Sequence, residues 1–486
     1  IAKVSEEVLT VGANANPAQA LAGAVSGVKV NITSGDPGAT PSIVVRGGTN
    51  WSGSSEPLVV VDGQIRSSLS DINPNDIESM DILKDAGATA LYGARAANGV
   101  ILVSTKQGKA GTSKVTFNGK FGINWYSAGY DFVDAETYLY YNRKGIYNTE
   151  WAQARGGLNS LNANNQPNGV GRTQLDAGTQ WNVMTLTEDN KYLLEKGWQT
   201  MQDPIDADRT ILFRSIRPQD VNINTPAYTQ DYNVNFSGGN DRGQYYASLG
   251  YYDADGAFKT TFYKRYNFSF TGSYKIAPWL ESQSTFTFTR SNKRRLPINF
   301  SEGGDDYASY IFGRLLSVPP TLRLLDEDNN PAFGQNWDNT NFNYQADAFI
   351  RKYQNDKFQM TQGFLATITK GLTVKGTMSW FYNEDFNYSY DKEYQTSPGA
   401  VPGATNGWNK TYGQSASFGR YFDQTYNLVA NFNRTFAEKH TVNVMAGWEF
   451  YHRQYKSFSG SGQKLPSGDW FNLGLTFNGT QNPYQA

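Results

Sequence analysis

The chain has 486 residues, with 43 Lys and Arg against 44 Asp and Glu for a net charge of −1, and no cysteine. So balanced a charge offers no basic field for nucleic acid, and the lack of thiols excludes a disulfide scaffold and thiolate metal sites. Aromatics make up 14% of the residues, with 31 Tyr, 28 Phe and 11 Trp beside 48 Gly, a mixture that suits a β-barrel with aromatic girdles.

Residues 1–27 read as a loosely structured start followed by a helix, with Asn16 as N-cap and Pro17 at the first helical position. No signal peptide precedes Ile1, so the start reads as processed or truncated. Residues 28–32 alternate as a strand. Three β-branched runs follow, at 43–45, 58–61 and 100–105, with a helical piece expected at 85–92. These runs are far too short for membrane helices and suit strands of a small mixed sheet buried on both faces. Between the first two lies a polar loop holding Asn50, Trp51 and Ser52. No phosphate-binding glycine loop, nucleophile elbow or metal-ligand spacing occurs here. The Gly-rich stretch 108–112 is the expected hinge that ends an α/β domain over residues 1–112.

From Lys114 the pattern changes to period 2. Val115, Phe117, Gly119, Phe121, Ile123 and Trp125 share one face, with Thr116, Asn118, Lys120 and Asn124 opposite. The cleanest alternation sets Tyr266, Phe268, Phe270, Gly272, Tyr274 and Ile276 against Asn267, Ser269, Thr271, Ser273 and Lys275. Such dyads predict nine strands, at 115–125, 232–236, 244–252, 266–276, 280–289, 358–369, 372–382, 426–436 and 441–451. Short connections (238–243, 277–279, 370–371, 437–439) alternate with long ones. Short turns at one end and long loops at the other are how an outer-membrane barrel is built, the short ones facing the periplasm. A helical span is excluded, since no run reaches about 18 apolar residues. Residues 113–486 are therefore expected to form part of a transmembrane antiparallel barrel. Nine strands do not close such a barrel, and an open edge in lipid is prohibitive, so the chain reads as an N-terminal portion or as completed from elsewhere.

The wording of the first domain is specific. Arg46-Gly47 follows a strand, then come Pro57 to Asp62-Gly63, Asn73 to Ser79, the stretch from Leu83 through Lys84, Asp85 and Tyr92 to Gly93, and finally Arg95, Asn98 and Gly99 before a Thr105-Lys106 exit. In that order these pieces resemble the plug domain of SusC-like TonB-dependent outer-membrane transporters. The resemblance implies a membrane β-barrel of about twenty-two strands with an N-terminal α/β plug inside the lumen. It implies active import of oligosaccharides, or of peptides, across the bacterial outer membrane, with no catalysis and no cofactor. Energy would come from the proton gradient through TonB, ExbB and ExbD. A SusD-like surface lipoprotein would cap the channel, and such pairs would assemble as dimers. The TonB box is not found before Ile1. The alternatives on one architecture are a siderophore or cobalamin receptor, or a passive structural or adhesin barrel, which would need no plug.

Candidate residues follow from this. Gly47, Gly63, Gly93 and Gly99 suit tight turns. Arg46, Asp62, Lys84, Asp85 and Arg95 are charged residues expected to pair with the barrel wall and hold the plug. For ligand contact, Trp51 with Asn50 and Ser52 offers an aromatic face for a sugar ring with polar neighbours for its hydroxyls. Trp337 and Trp408, and also Trp151, Trp181 and Trp198, stand in long loops where they either do the same or pack the loops together. His440 and His452 have no carboxylate at triad or ligand spacing, and the acidic clusters at 305–306 and 326–328 read as solvated loop charge.

Overall fold

The computed structural model describes residues 2–13, 15–32, 37–45, 56–66, 68–70, 72–84, 96–111, 113–125, 132–294, 318–334, 344, 348–395, 408–409, 412–436, 439–464 and 477–485.

The first part is a mixed sheet of five strands: β1 (Ala2–Ser5), β4 (Leu58–Val61), β5 (Gln64–Arg66), β6 (Ile77–Leu83) and β7 (Val100–Thr105), in the order β1-β6-β7-β4-β5. β4 and β7 run parallel, and the other pairings are antiparallel. A separate ribbon pairs β2 (Val28–Asn31) with β3 (Ser42–Val45). Of the three β-branched runs expected in one mixed sheet, 58–61 and 100–105 lie side by side in it, with Val59, Val60, Val61, Val100 and Ile101 all buried, whereas 43–45 belongs to the separate ribbon. The short helix Pro17–Ala20 is capped as expected, Asn16 accepting from the Ala18 amide at 2.9 Å. β1, β5 and β6 are additions to the expected strands, being short or rich in polar residues. The expected helix at 85–92 lies outside the described residues.

The second part is an antiparallel sheet that follows chain order. It comprises β8 (Ser113–Asn124), β12 (Ala227–Gly239), β13 (Gly243–Asp255), β14 (Phe262–Ala277), β15 (Leu280–Arg294), β16 (Phe349–Thr369), β17 (Leu372–Asp391), β20 (Gln414–Phe436), β21 (His440–Gln463) and β22 (Phe477–Gln485). The nine expected strands are all there, longer than the dyads alone indicate, and the last is an addition. Its sequence, FNGTQNPYQ, carries no alternation to announce it.

One face of this wall is polar and buried against the plug. On β12 and β14 these are Thr229, Asp231, Asn233 and Asn235, and Arg265, Asn267 and Ser269. The opposite face carries exposed apolar side chains such as Phe117, Phe121, Tyr232, Tyr266 and Tyr274. Phe268, Phe270 and Tyr274 thus lie on the outer face and Asn267, Ser269 and Thr271 on the inner, as the alternation predicts. The register sets Arg290, Asp356, Glu384, Arg420 and Lys456 in one outward row across β15, β16, β17, β20 and β21. Arg290 pairs with Asp356 at 2.6 Å and Arg420 with Glu384 at 2.8 Å. Two residues along the strands, Phe288, Phe358, Tyr382 and Phe422 make the neighbouring outward row.

The connection from β8 to β12 folds into a unit of its own. It contains the helix Ala135–Asn148 and a small sheet of β9 (Val183–Thr185), β10 (Gln199–Gln202) and β11 (Thr210–Phe213). Leu139, Val183, Ile211 and Phe213 form its core together with Leu322 and Leu324 of the β15–β16 connection. At its centre Arg143 and Asp203 are both fully buried and joined at 3.1 and 2.7 Å, and Arg143 also donates to the Leu161 and Asn168 carbonyls at 2.8 and 2.6 Å. A buried pair is tolerable when the guanidinium is satisfied in this way. A further ribbon pairs β18 (Tyr394–Gln395) with β19 (Trp408–Asn409).

Candidate functional site

Among the described residues the hydrogen bonds between plug and wall gather mainly in two regions, with a further contact from Lys357 on β16 to Ser70 at 3.5 Å. The first uses residues 10–15 and the turn before β6. The one-turn 3-10 helix Pro74–Asp76 buries Asn75 and Asp76. Tyr246 on β13 donates its hydroxyl to Asp76 at 3.0 Å, and Asn75 donates to Asp231 on β12 at 3.5 Å. Wall side chains also reach plug carbonyls: Lys120 to Thr10 at 2.6 Å and Gly12 at 2.9 Å, Tyr252 to Ala13 at 3.2 Å, and Arg265 to Ala15. Burial pushes the Asp76 carboxyl up from its ordinary value, against the pull of the Tyr246 hydroxyl and the charges of Lys106 and Arg265.

The second contact belongs to β5. Asp62 and Gly63 both have positive φ, at 49° and 84°, the two-residue turn that closes a tight hairpin. The turn throws Gln64 and Arg66 against β15–β20. Gln64 donates to Thr425 at 3.3 Å; Arg66 donates to Thr287 at 3.3 Å and to Gln359, and lies 5.3 Å from the centre of the Phe381 ring.

Two polar cavities flank this second contact. One, of about 320 Å³, opens toward the long loops and is lined by Ser70 and Tyr263 and by the inner faces of β15–β17, including Lys357, Asn355, Asn383 and Asp385. Asn355 bonds the side chains of Asn383 and Asp385 at 2.7 Å each. The other, of about 600 Å³, lies toward the short turns and is lined by Asp62, Gln64, Thr285, Thr361, Ser379 and Asn427 among others.

Of the residues expected to hold the plug, the two that are described, Asp62 and Lys84, are differently employed. Asp62 accepts from the Thr105 amide at 3.0 Å and its hydroxyl at 2.7 Å, and Lys84 donates to the Ser26 carbonyl, so both bond inside the plug and not to the wall. Burial raises the Asp62 carboxyl as well. Pro57 is buried ahead of β4, and Asn98 reaches the Glu56 carbonyl at 3.5 Å. Gly99 has φ of 94°, and a Cβ at this position would stand 3.2 Å from the Leu83 carbonyl, so only glycine fits without displacement. Arg46, Gly47, Asn50, Trp51, Ser52, Asp85, Tyr92, Gly93, Arg95 and Trp337 lie outside the described residues. Trp408 is seen as backbone in β19. Trp181 and Trp198 are buried in the loop unit, so they pack it, whereas Trp151 is exposed with Arg155 4.4 Å from its ring centre. Gln64, Arg66, Asn75 and Asp76 escape sequence reasoning. Their one signal is polar side chains at alternate positions beside a turn, which surface residues share.

Residues 1–100 match the TonB-dependent Receptor Plug Domain family. The chain is 29% identical over 462 residues to the TonB-dependent receptor P39 of Formosa agariphila, covering 94% of this chain and 37% of that protein. It is 29% identical over 351 residues to the TonB-dependent receptor SusC of Bacteroides thetaiotaomicron, covering 70% of this chain and 28% of that protein. Among solved structures it is similar to the RagAB peptide importer in its closed-closed state, with a TM-score of 0.73 and 24% identity over 99% of this chain and 51% of that one, a likeness of fold. The chain thus spans 37% and 28% of the length of those two receptors. Plug family, relatives and fold together bear out the resemblance read from the sequence, to the plug and first part of the barrel of SusC-like TonB-dependent transporters.

Proposed function

We propose that the protein imports oligosaccharides, or peptides of similar size, across a bacterial outer membrane by TonB-dependent opening of its plug. The observation that carries this reading is the plug seated on the polar inner face of an outward-apolar wall, with a polar cavity above the β5 contact. The Asn355, Asn383 and Asp385 cluster with Lys357 offers amide, carboxylate and ammonium groups to the hydroxyls of a saccharide or the backbone of a peptide. Trp51, with Asn50 and Ser52, is proposed to add an aromatic face from the plug.

On this reading the protein makes and breaks no covalent bonds and uses no cofactor. The proton gradient supplies energy through TonB, ExbB and ExbD, and a SusD-like surface lipoprotein captures the ligand. Uptake of a labelled oligosaccharide by cells carrying the transporter and its lipoprotein tests this. Uptake should vanish when TonB is deleted or the gradient is collapsed. Persistence without TonB would overturn it.

A further inference from the structure

The two cavities touch the same three wall strands at inward positions on either side of one intervening row. On β15 the upper cavity is lined by Thr289 and the lower by Thr285; on β16 by Lys357 and Thr361; on β17 by Asn383 and Ser379. The residues skipped between them are Thr287, Gln359 and Phe381, which the register places in one cross-strand row. All three are in contact with Arg66. The row below ends at Thr425, opposite Ser379, and Thr425 is the partner of Gln64. A single layer of plug side chains therefore separates two polar spaces that share one wall.

That layer stands on the weakest strand of the plug. β5 is three residues long and sits at the edge of its sheet, hydrogen-bonded to β4 on one side. An edge strand this short can detach without disturbing the β4–β7–β6 centre. The other plug contact is different, since it uses the carbonyls of Thr10, Gly12, Ala13 and Ala15 and the buried Asp76, and neither cavity is lined by these groups.

We propose that Arg66 and Gln64 on β5 are the gate of a transport path running down the inner face of β15–β17, and that this path opens by release of β5 while the contact at Asn75 and Asp76 holds. The proposal rests on the import reading and names the route within it. Arg66 suits a gate because its planar guanidinium bonds two wall side chains and stacks on a third, so one side chain closes the gap across three strands.

The whole transporter, reconstituted in planar lipid bilayers with KCl as the permeant probe, tests the gate with neither ligand nor TonB. Arg66→Ala should open about tenfold to hundredfold more often than wild type, the shift expected from losing one or two charge-assisted hydrogen bonds. Arg66→Lys keeps the charge without the fork and should fall between. Gln64→Ala should also open more often, and stands in if Arg66→Ala fails to fold, as judged by heat-modifiable gel mobility. Asn75→Ala should stay near wild type. Silence of the β5 variants would overturn the proposal, and so would equal opening by Asn75→Ala, which would mean that the plug loosens as a whole. Failure of the import reading shows separately, as absent or TonB-independent uptake by cells, and leaves the conductance result standing.

Discussion

The interior of the plug and its rim are built from opposite chemistry. Inside, Leu9, Leu21, Ile77, Met80, Ile82 and Ile101 are fully buried in one apolar cluster. At the rim, Gln64, Arg66, Asn75 and Asp76 meet Thr425, Gln359, Asp231 and Tyr246. Apolar burial at about 25 cal/mol per Å² holds the interior together without help from the wall. Each rim hydrogen bond replaces one with water and nets about 1 kcal/mol, or about 1.5–3 kcal/mol where a charged group takes part. Cohesion within the plug therefore exceeds its adhesion to the barrel. A rim built that way can let go of the wall at one contact while the interior stays folded.

The most direct way to break this comparison is to weaken the interior. If residues 1–112 are a domain, that fragment alone should be soluble and give a mixed α/β circular dichroism spectrum with a cooperative melt. Ile101→Ala should then destabilise it by about 2–5 kcal/mol in urea titrations, while Asn75→Ala, a rim residue, should cost under about 1 kcal/mol. Equal losses would mean that interior and rim are not distinct.

The wall provides the next contrast. Phe270→Arg on the outer face should cost about 2–4 kcal/mol near the membrane midplane, whereas Thr271→Arg on the inner face should be mild. Folding yield into lipid vesicles is the readout. A smaller effect is expected at Trp51, the aromatic face proposed for the ligand. Trp51→Ala should weaken oligosaccharide binding by about 1–2 kcal/mol with barrel stability unchanged, as calorimetry on the transporter with the proposed lipoprotein would show.

The smallest effect concerns the rim acid. Because burial raises the Asp76 carboxyl in the folded state, the folded protein keeps that proton to higher pH than the unfolded chain, whose value is near 3.8. Stability contributed by this group is thus greatest in acid and is lost as pH rises from about 3.8 through the raised value. Asp76→Asn should flatten that part of the pH profile of thermal stability. A profile unchanged by the substitution would remove Asp76 as its cause.

Much of this is legible in the residue pattern. Alternation places Asn267 and Phe268 on opposite faces, and the Asp62-Gly63 turn and the Asn16 cap announce themselves by residue type. What stays hidden depends on partners far along the chain. Asp76 looks like an ordinary turn acid until Tyr246, 170 residues away, comes to lie over it. Arg143 and Asp203 are 60 residues apart in a stretch without strong periodicity, so nothing local marks them as the centre of a folded loop unit. β5 is short, and its polar residues face a wall, which is why its pattern matches that of a solvated turn.

The outward row of Arg290, Asp356, Glu384, Arg420 and Lys456 has a bearing on where a ligand halts. Charged side chains next to the aromatic row of Phe288, Phe358, Tyr382 and Phe422 mark a waterline on the outside of the barrel, where hydrocarbon gives way to lipid headgroups. Gln359, the partner of Arg66, is three residues from Asp356 along β16, which is about 10 Å of strand and about 8 Å of depth at the usual tilt. The lock thus sits just under the outer surface, with most of an apolar band about 25 Å tall still below it. On the import reading, a cargo stopped there has crossed little of the membrane, and one let past it has the greater part of the descent still to make, beginning beside the lower cavity.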